Sequence, residues 1–135
     1  MRVRAIVGTA FAVLLITASA ALGQETPEGL LRAGIYAEEV QGDLEGAIAI
    51  YRSILTDFPE NRAVGAKAQL HIGLCLEVLG LGEAGQAYRR VIEDFPEHMD
   101  EVRLARDRLA SLAEQLAELN RQPTFRKIEI ASKPQ

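Results

Sequence analysis

Leu70–Leu79 reads Leu-His-Ile-Gly-Leu-Cys-Leu-Glu-Val-Leu, and only His71 and Glu77 in this stretch are polar. A helix that is apolar on nearly every face is buried on more than one side. Even when it is counted from Ala66, the stretch is too short to cross a bilayer, which needs about 20 apolar residues. Two glycines follow within three residues, so we expect a tight turn there. The stretch therefore predicts a central helix that other helices cover on both flanks.

One segment that can cover the central helix occurs twice in the chain, once before it and once after it. Tyr51–Glu60 reads Tyr-Arg-Ser-Ile-Leu-Thr-Asp-Phe-Pro-Glu, and Tyr88–Glu97 reads Tyr-Arg-Arg-Val-Ile-Glu-Asp-Phe-Pro-Glu, 37 residues later. Self-similarity at a period of 20 to 50 residues is the signature of a repeat architecture. Because the copies lie on either side of the apolar stretch, we expect a helical repeat protein with its central helix in the middle.

Two helices are expected before the central one. Thr26 can cap the first, with Pro27 at its first position, where a missing N–H costs nothing. Gly42 stops that helix, and Asp43 caps the second, which ends at Pro59. The second helix carries a broad apolar stripe at i, i+3 and i+4 spacings.

Two more helices are expected after the central one, which Asn61 caps. The fourth repeats the stripe of the second and stops before Pro96. The fifth runs from near Met99 to about Leu119, and its apolar residues alternate three and four apart: Val102, Ala105, Leu109, Leu112, Leu116 and Leu119. Fewer than three heptads are too short for a free coiled coil, so we expect this helix to cover the second helix pair.

The second unit resembles a tetratricopeptide repeat. That family's pattern is W-x2-L-G-x2-Y, then A-x3-F, then P, over about 34 residues. Gln69 stands in place of the Trp, and the other matching residues are Ile72, Gly73, Leu76, Ala84, Tyr88 and Pro96.

The first unit and the fifth helix follow the same pattern less completely. The first unit keeps Ala47, Tyr51 and Pro59, but Gly34-Ile35 inverts the L-G pair. The fifth helix carries Leu109-Ala110 in the same register, as the front half of a third unit. The amino-acid sequence of the repeat also resembles the tetratricopeptide modules of exported bacterial proteins. Some of those modules stand alone, and some precede a β-propeller or a peptidase.

The resemblance implies an all-α solenoid of helical hairpins over residues 28–119, with two repeats and a C-terminal capping helix. Solenoids of this kind offer a concave face lined by the first helix of each unit. The family's groove positions, carried over to this chain, are Arg32, Tyr36, Glu39, Lys67, Leu70, Leu74, Glu77, Asp107, Ser111 and Glu114. We expect Leu70 and Leu74 to lie on a face that the core does not need. The alternative is that the fifth helix or the tail covers them.

Residues 1–23 are typical of a secretory signal. Arg2 and Arg4 precede an uncharged, mostly apolar run, and small residues permit cleavage after Ala20 or Gly23. We expect export to the periplasm or the extracellular space, the alternative being an uncleaved membrane anchor. Gln24 stands where a lipoprotein would carry cysteine, so no lipid anchor is expected.

Short segments flank the predicted repeat domain. Residues 24–27 are interpreted as a linker and residues 120–135 as a tail. In the tail, Thr124–Ile130 alternates apolar and polar residues with β-branched ones, which indicates a strand. A lone strand after five helices has no partner, so the tail is either disordered or the start of a further domain.

The charge balance disfavours polyanionic partners. The chain has 15 Lys and Arg against 19 Asp and Glu, and loss of Arg2 and Arg4 with the signal changes the net charge from −4 to −6. Nucleic acid and anionic lipid are therefore not expected as partners.

The sequence shows no catalytic motif, metal-binding motif or cofactor motif. Cys75, the only cysteine, lies in the most apolar stretch and is interpreted as a small buried hydrophobe. His71 and His98 lie far apart in the sequence, and neither has a partner at the spacing of a metal ligand. We expect no enzyme, no metal and no cofactor in these residues.

Two functional hypotheses remain. The first is an exported, non-catalytic scaffold that binds a protein or peptide in the bacterial cell envelope, with self-association through the C-terminal helix as an additional expectation. The second is the N-terminal accessory module of a longer envelope protein, such as a β-propeller or a peptidase, with the activity downstream.

Overall fold

The computed structural model describes residues 25–80 and 82–121, and this part of the chain is helical throughout apart from short turns. The α-helices are α1 (Pro27–Tyr36), α2 (Leu44–Asp57), α3 (Arg62–Val78), α4 (Ala84–Asp94) and α5 (Met99–Arg121), and a π-helical segment, Ala37–Gln41, follows α1. These residues contain no strand, so the predicted all-α fold is confirmed. The predicted signal, residues 1–23, and the predicted strand, Thr124–Ile130, lie outside the described residues.

Local side-chain chemistry fixes where three of the helices begin. Thr26, Asp43 and Asn61 each accept a hydrogen bond from the backbone N–H three residues later, at 3.0, 2.9 and 3.2 Å. These bonds satisfy donors that a helix N-terminus otherwise leaves without a partner. Gly42 and Gly80 follow the ends of two helices at φ of 67° and 70°, a left-handed conformation that glycine adopts without steric cost.

Helix α3 is the centre of the fold, as predicted. It packs against α2 on one flank and α4 on the other, while α1 and α5 pack on the outer sides of those helices and reach α3 themselves. Ten of its 17 residues are buried. The hairpins α1–α2 and α3–α4 are the two repeats, and α5 caps the second.

Each hairpin closes where a tyrosine ring lies on a glycine of the facing helix. A Cβ atom added to Gly73 would lie 2.5 Å from Cε1 of Tyr88, and one added to Gly34 would overlap the ring of Tyr51. Both tyrosines are completely buried. Gly34 therefore occupies the position of Gly73, and the predicted inversion of the pair at Gly34-Ile35 is wrong.

The first hairpin is longer than the second, which explains that error. The chain between Gly34 and Tyr51 is two residues longer than the chain between Gly73 and Tyr88. The π-helical segment Ala37–Gln41 lies in the longer connection, and its wider turn takes up part of the excess.

An arginine joins the two ends of the second hairpin, where α3 begins and α4 ends. Arg62 Nε donates to Glu97 Oε1 at 2.5 Å, and Arg62 Nη2 donates to the carbonyl of Asp94. The guanidinium also lies 4.9 Å from the centre of the Phe95 ring. The hydrogen bond from Arg62 lowers the pKa of Glu97 to about 2.

The close approach of tyrosine and glycine predicts opposite results for two Gly→Ala substitutions. Alanine normally stabilises a helix relative to glycine by about 0.5–1 kcal/mol, and the Cβ of Gly85→Ala would meet only ordinary contacts, the nearest at 3.8 Å. Gly73→Ala instead forces the Tyr88 ring to move, and we expect a loss of about 1–3 kcal/mol. Urea unfolding of both variants measures the difference. An unchanged or raised stability of Gly73→Ala would contradict the packing described here.

Candidate functional site

The interface between the two repeats contains a small, largely buried polar group. Tyr51 donates its hydroxyl hydrogen to Glu38 Oε2 at 2.7 Å, and the same oxygen lies 2.8 Å from His71 Nδ1. The imidazole also packs near the Tyr51 ring, with 5.2 Å between ring centres. Glu38 thus ties the second helix of its own repeat to the first helix of the next.

The same arrangement recurs between the second repeat and α5. Tyr88 donates to Glu77 Oε2 at 2.6 Å, and Arg108 Nη1 lies 3.6 Å from Glu77 Oε1. Arg108 follows His71 by 37 residues, the period of the repeat. Glu77, predicted as a groove residue, is therefore half-buried and engaged in holding α5 in place.

Burial raises the pKa values of three neutral groups at these interfaces. Burial and the hydrogen bonds to Glu38 and Glu77 raise the pKa of Tyr51 and of Tyr88 well above the usual value. Burial, followed by the nearby Glu38 carboxylate, raises the pKa of Cys75 to about 12. The thiol is fully buried and stays protonated, which agrees with its interpretation as a small core residue.

The first helices of successive units, α1, α3 and α5, contact one another in order, and in solenoids of this kind such helices line the concave face. Because Gly34 matches Gly73, the residues that match Leu70 and Leu74 in the first unit are Leu31 and Ile35. Both are half-buried against the core, as is Leu74. A band of partly covered aliphatic side chains therefore runs across this face.

Because Gly34 matches Gly73, the groove positions of the first unit lie one residue earlier than the sequence comparison predicted. Arg32, Tyr36 and Glu39 are exposed, but each lies one residue after the position that matches the second unit. The shift follows from aligning the inverted pair rather than the glycine that the tyrosine contacts. Binding by these three residues stays a prediction.

The expectation that Leu70 lies on a face that the core does not need is wrong. The side chain is buried, with 7% exposure. The first turns of α5 lie next to it, and Leu70 lines one depression together with Asp100, Glu101, Arg103, Leu104 and Asp107. The alternative stated for this position, cover by the fifth helix, is the one the structure supports.

That depression brings together two of the predicted groove residues, Leu70 and Asp107. Its exposed apolar side chain is Leu104, which is 38% exposed. Ala110 of the fifth helix matches Gly73, and Leu104 precedes Ala110 by six residues, as the groove residue Lys67 precedes Gly73. The repeat pattern could therefore have identified Leu104 as a groove position. Three carboxylates and one guanidinium lie around it, and Arg103 is paired with Asp100 at 3.3 Å. The depression is therefore apolar at its base and acidic at its rim.

The other predicted residues lie apart from this depression. Lys67 and Glu114 are exposed, and Ser111 is half-buried. None of the described residues forms a group of three or more His, Cys, Asp or Glu side chains arranged to hold a metal. Among the same residues, no helix combines the length and the apolarity needed to span a membrane.

Two stacked helical hairpins with a capping helix define a helical-repeat solenoid, the class of protein whose concave face is its interaction surface. Residues 28–61 and 67–98 each match the family model described as tetratricopeptide repeat. The chain belongs to the tetratricopeptide repeat family. No curated protein and no solved structure matches it significantly. Repeats of this family are generally non-catalytic and mediate protein–protein interaction.

The raised pKa values predict that the protein loses stability in alkali. A group whose pKa is higher in the folded than in the unfolded state supports folding below its unfolded pKa and opposes it as the pH rises further. For Cys75 the interval runs from about 9 to about 12, and each such group removes up to about 1.4 kcal/mol per pH unit. We expect the free energy of unfolding to fall from pH 9 to pH 11.

Urea unfolding at pH 7, 9, 10 and 11 checks this dependence. Cys75→Ala should be less stable at pH 7, because a cavity remains, but its stability should fall less steeply between pH 9 and pH 10. A wild-type stability that is constant over the whole range would show that these groups are not buried as described.

Proposed function

We propose that this protein is a non-catalytic scaffold of the bacterial cell envelope that binds a segment of another protein on its concave face. The observation that carries the proposal is the depression between α3 and α5, where Leu104 lies exposed beside Leu70 and within a rim of carboxylates. A partly exposed leucine in a concave surface provides an apolar contact, and the surrounding charges select what lies next to it.

The charges favour a partner segment with basic residues on either side of an apolar one. Asp100, Glu101 and Asp107 outnumber Arg103 around the depression, and Arg103 is itself paired. The net charge of the chain is −4, which adds a weak attraction for cations. Attraction of this kind chiefly speeds association and is screened over a Debye length of about 8 Å at physiological ionic strength.

Location in the envelope rests on the N-terminal sequence. Arg2, Arg4, the short apolar run and the small residues before Gln24 have the order of a secretory signal. The second hypothesis is an accessory module of a longer envelope protein. It is supported by the strand pattern in Thr124–Ile130, because the described residues contain no strand with which such a segment could pair.

A random peptide library displayed on phage tests the binding proposal with a defined probe. Peptides selected on the wild-type protein should share an apolar residue flanked by Lys or Arg. Leu104→Asp should weaken the binding of a selected peptide at least tenfold, because it removes the apolar contact. Asp107→Lys should act mainly by slowing association, and the effect should shrink as salt is added.

Ala49→Asp provides the matched control. Ala49 is exposed on α2, a second helix of its repeat, so the same added charge lies away from the concave face and should leave peptide binding unchanged. Circular dichroism checks that both Asp variants remain folded. Selected peptides that bind Leu104→Asp and wild type equally would overturn the assignment of this depression.

Export has an independent test. When the whole chain is expressed in a bacterial host, the protein recovered from the periplasm should begin at Ala21 or Gln24, as read by N-terminal sequencing. Changing Arg2 and Arg4 to Glu should reduce export, because the positive start is lost. An intact Met1 on protein in the membrane pellet would contradict cleavage and favour the anchor.

A further inference from the structure

The seam of α5 continues beyond the helices that cover it. Val102 and Ala105 at its start are buried, with 2% and 0% exposure, and Leu109 and Leu112 are half-buried. Leu116 and Leu119 continue the same spacing with 62% and 43% exposure. Two leucines in line with a buried seam form an exposed apolar strip on a helix surface.

The strip forms one wall of a groove of about 610 Å³, and the opposite wall combines small residues with the charged side chains of Glu77 and Arg89. That wall includes Ala84 and Gly85, in the first turn of α4. At Gly85 the nearest atom beyond the backbone of its own helix is Leu109 Cδ2, 3.8 Å from where a Cβ would lie. Ala84 and Gly85 carry no bulky side chain themselves, so another helix can approach closely once the Arg89 guanidinium, 3.9 Å from the same Cβ position, turns aside.

The groove is nearly neutral along α5. Ala113 and Gln115 line it beside the leucines, whereas Glu114 and Glu118 do not. Glu118 is instead paired with Arg121 on the helix surface, at 2.7 Å. The α5 wall of the groove therefore does not select a charged partner, and it suits a helix that is equally apolar and has the same neutral flanks.

We propose that a second copy of this chain fills the groove with its own α5, in an antiparallel, two-fold symmetric dimer. The part of α5 from Leu109 to Leu119 has the required properties, since its leucines recur three and four apart between uncharged flanking residues. In a two-fold dimer the same patch serves both copies, so each α5 occupies the groove of the other. Leu112 then faces Leu116 of the second copy, and Leu109 faces Leu119.

The antiparallel direction follows from charge. Each chain carries a net charge of −4, or −6 once Arg2 and Arg4 are removed with residues 1–23, and like charges repel. Antiparallel pairing centred near Glu114 places the two bodies at opposite ends of the shared helices, whereas parallel pairing would place them side by side. Neither arrangement brings opposing charges into the seam, so the separation of the two bodies decides between them.

Sedimentation of the processed chain at 100 µM tests the dimer. Wild type should sediment as a dimer, and Leu116→Glu should sediment as a monomer with its helix content retained, because Leu116 is already exposed in the single chain. Val78→Glu is the matched control. Val78 is 74% exposed on α3 and outside the groove, so the same added charge should leave the dimer intact.

A spin label at Arg121→Cys tests the direction. Cys75, the only natural cysteine, is fully buried and should not react. Position 121 lies seven residues beyond the centre of the interface, so at 1.5 Å per residue the two labels should be about 20–25 Å apart in the antiparallel dimer. Parallel helices would hold them about 10 Å apart.

Three results would overturn the proposal. These are a monomeric wild type at 100 µM, a dimer that Leu116→Glu does not dissociate, and the short label separation that parallel helices would give. A monomer in which Leu116→Glu also lowers the melting temperature by several degrees would show that residues 122–135 of the same chain cover the groove.

Discussion

The contact between a tyrosine ring and a bare helix backbone is the constraint on which this fold depends. Tyr88 can reach full burial only because Gly73 has no side chain. A buried phenol needs an acceptor, and Glu77, one turn after the glycine, provides it. That half-buried carboxylate is stabilised in turn by a cation, and Arg108 of α5 lies close enough to serve. Closing a hairpin and stacking the next unit are therefore consequences of one contact. The first hairpin has the same arrangement: the Tyr51 ring lies on Gly34, and Glu38 binds both Tyr51 and His71.

Features set by neighbours in sequence could be predicted from sequence alone. The caps at Thr26, Asp43 and Asn61, the turns at Gly42 and Gly80, and the span of α5 all follow from local chemistry and periodicity, and all are confirmed. The register of the first hairpin was predicted wrongly, because the π-helical segment that lengthens this hairpin has no sequence signal of its own. The spacing from Gly34 to Glu38 equals the spacing from Gly73 to Glu77, and this equality indicates the correct register of the first hairpin. In both hairpins the carboxylate must lie one turn beyond the glycine.

The candidate site was predicted less completely than the fold, because it depends on where α5 lies relative to α3. Leu70 has the spacing of a groove residue, but its exposure is decided by the first turns of a helix that comes much later in the chain. Periodicity within one helix identifies the face a residue occupies and not what covers that face. Leu104 shows the converse, because a residue assigned to no buried stripe becomes the exposed apolar side chain of the depression.

The length of α5 explains why its last leucines are uncovered. Leu116 and Leu119 lie 37 residues after Leu79 and Gly82, the positions at which the second hairpin turns. α5 has 23 residues against 17 in α3, so its final turns extend past the body that its earlier turns pack against. A capping helix that only covered the second repeat would become polar there, as the exposed end of a solenoid usually does. This helix keeps its three- and four-residue spacing of leucines instead. The extra turns thus have the composition of an interface with a second helix rather than that of a solvent-exposed end.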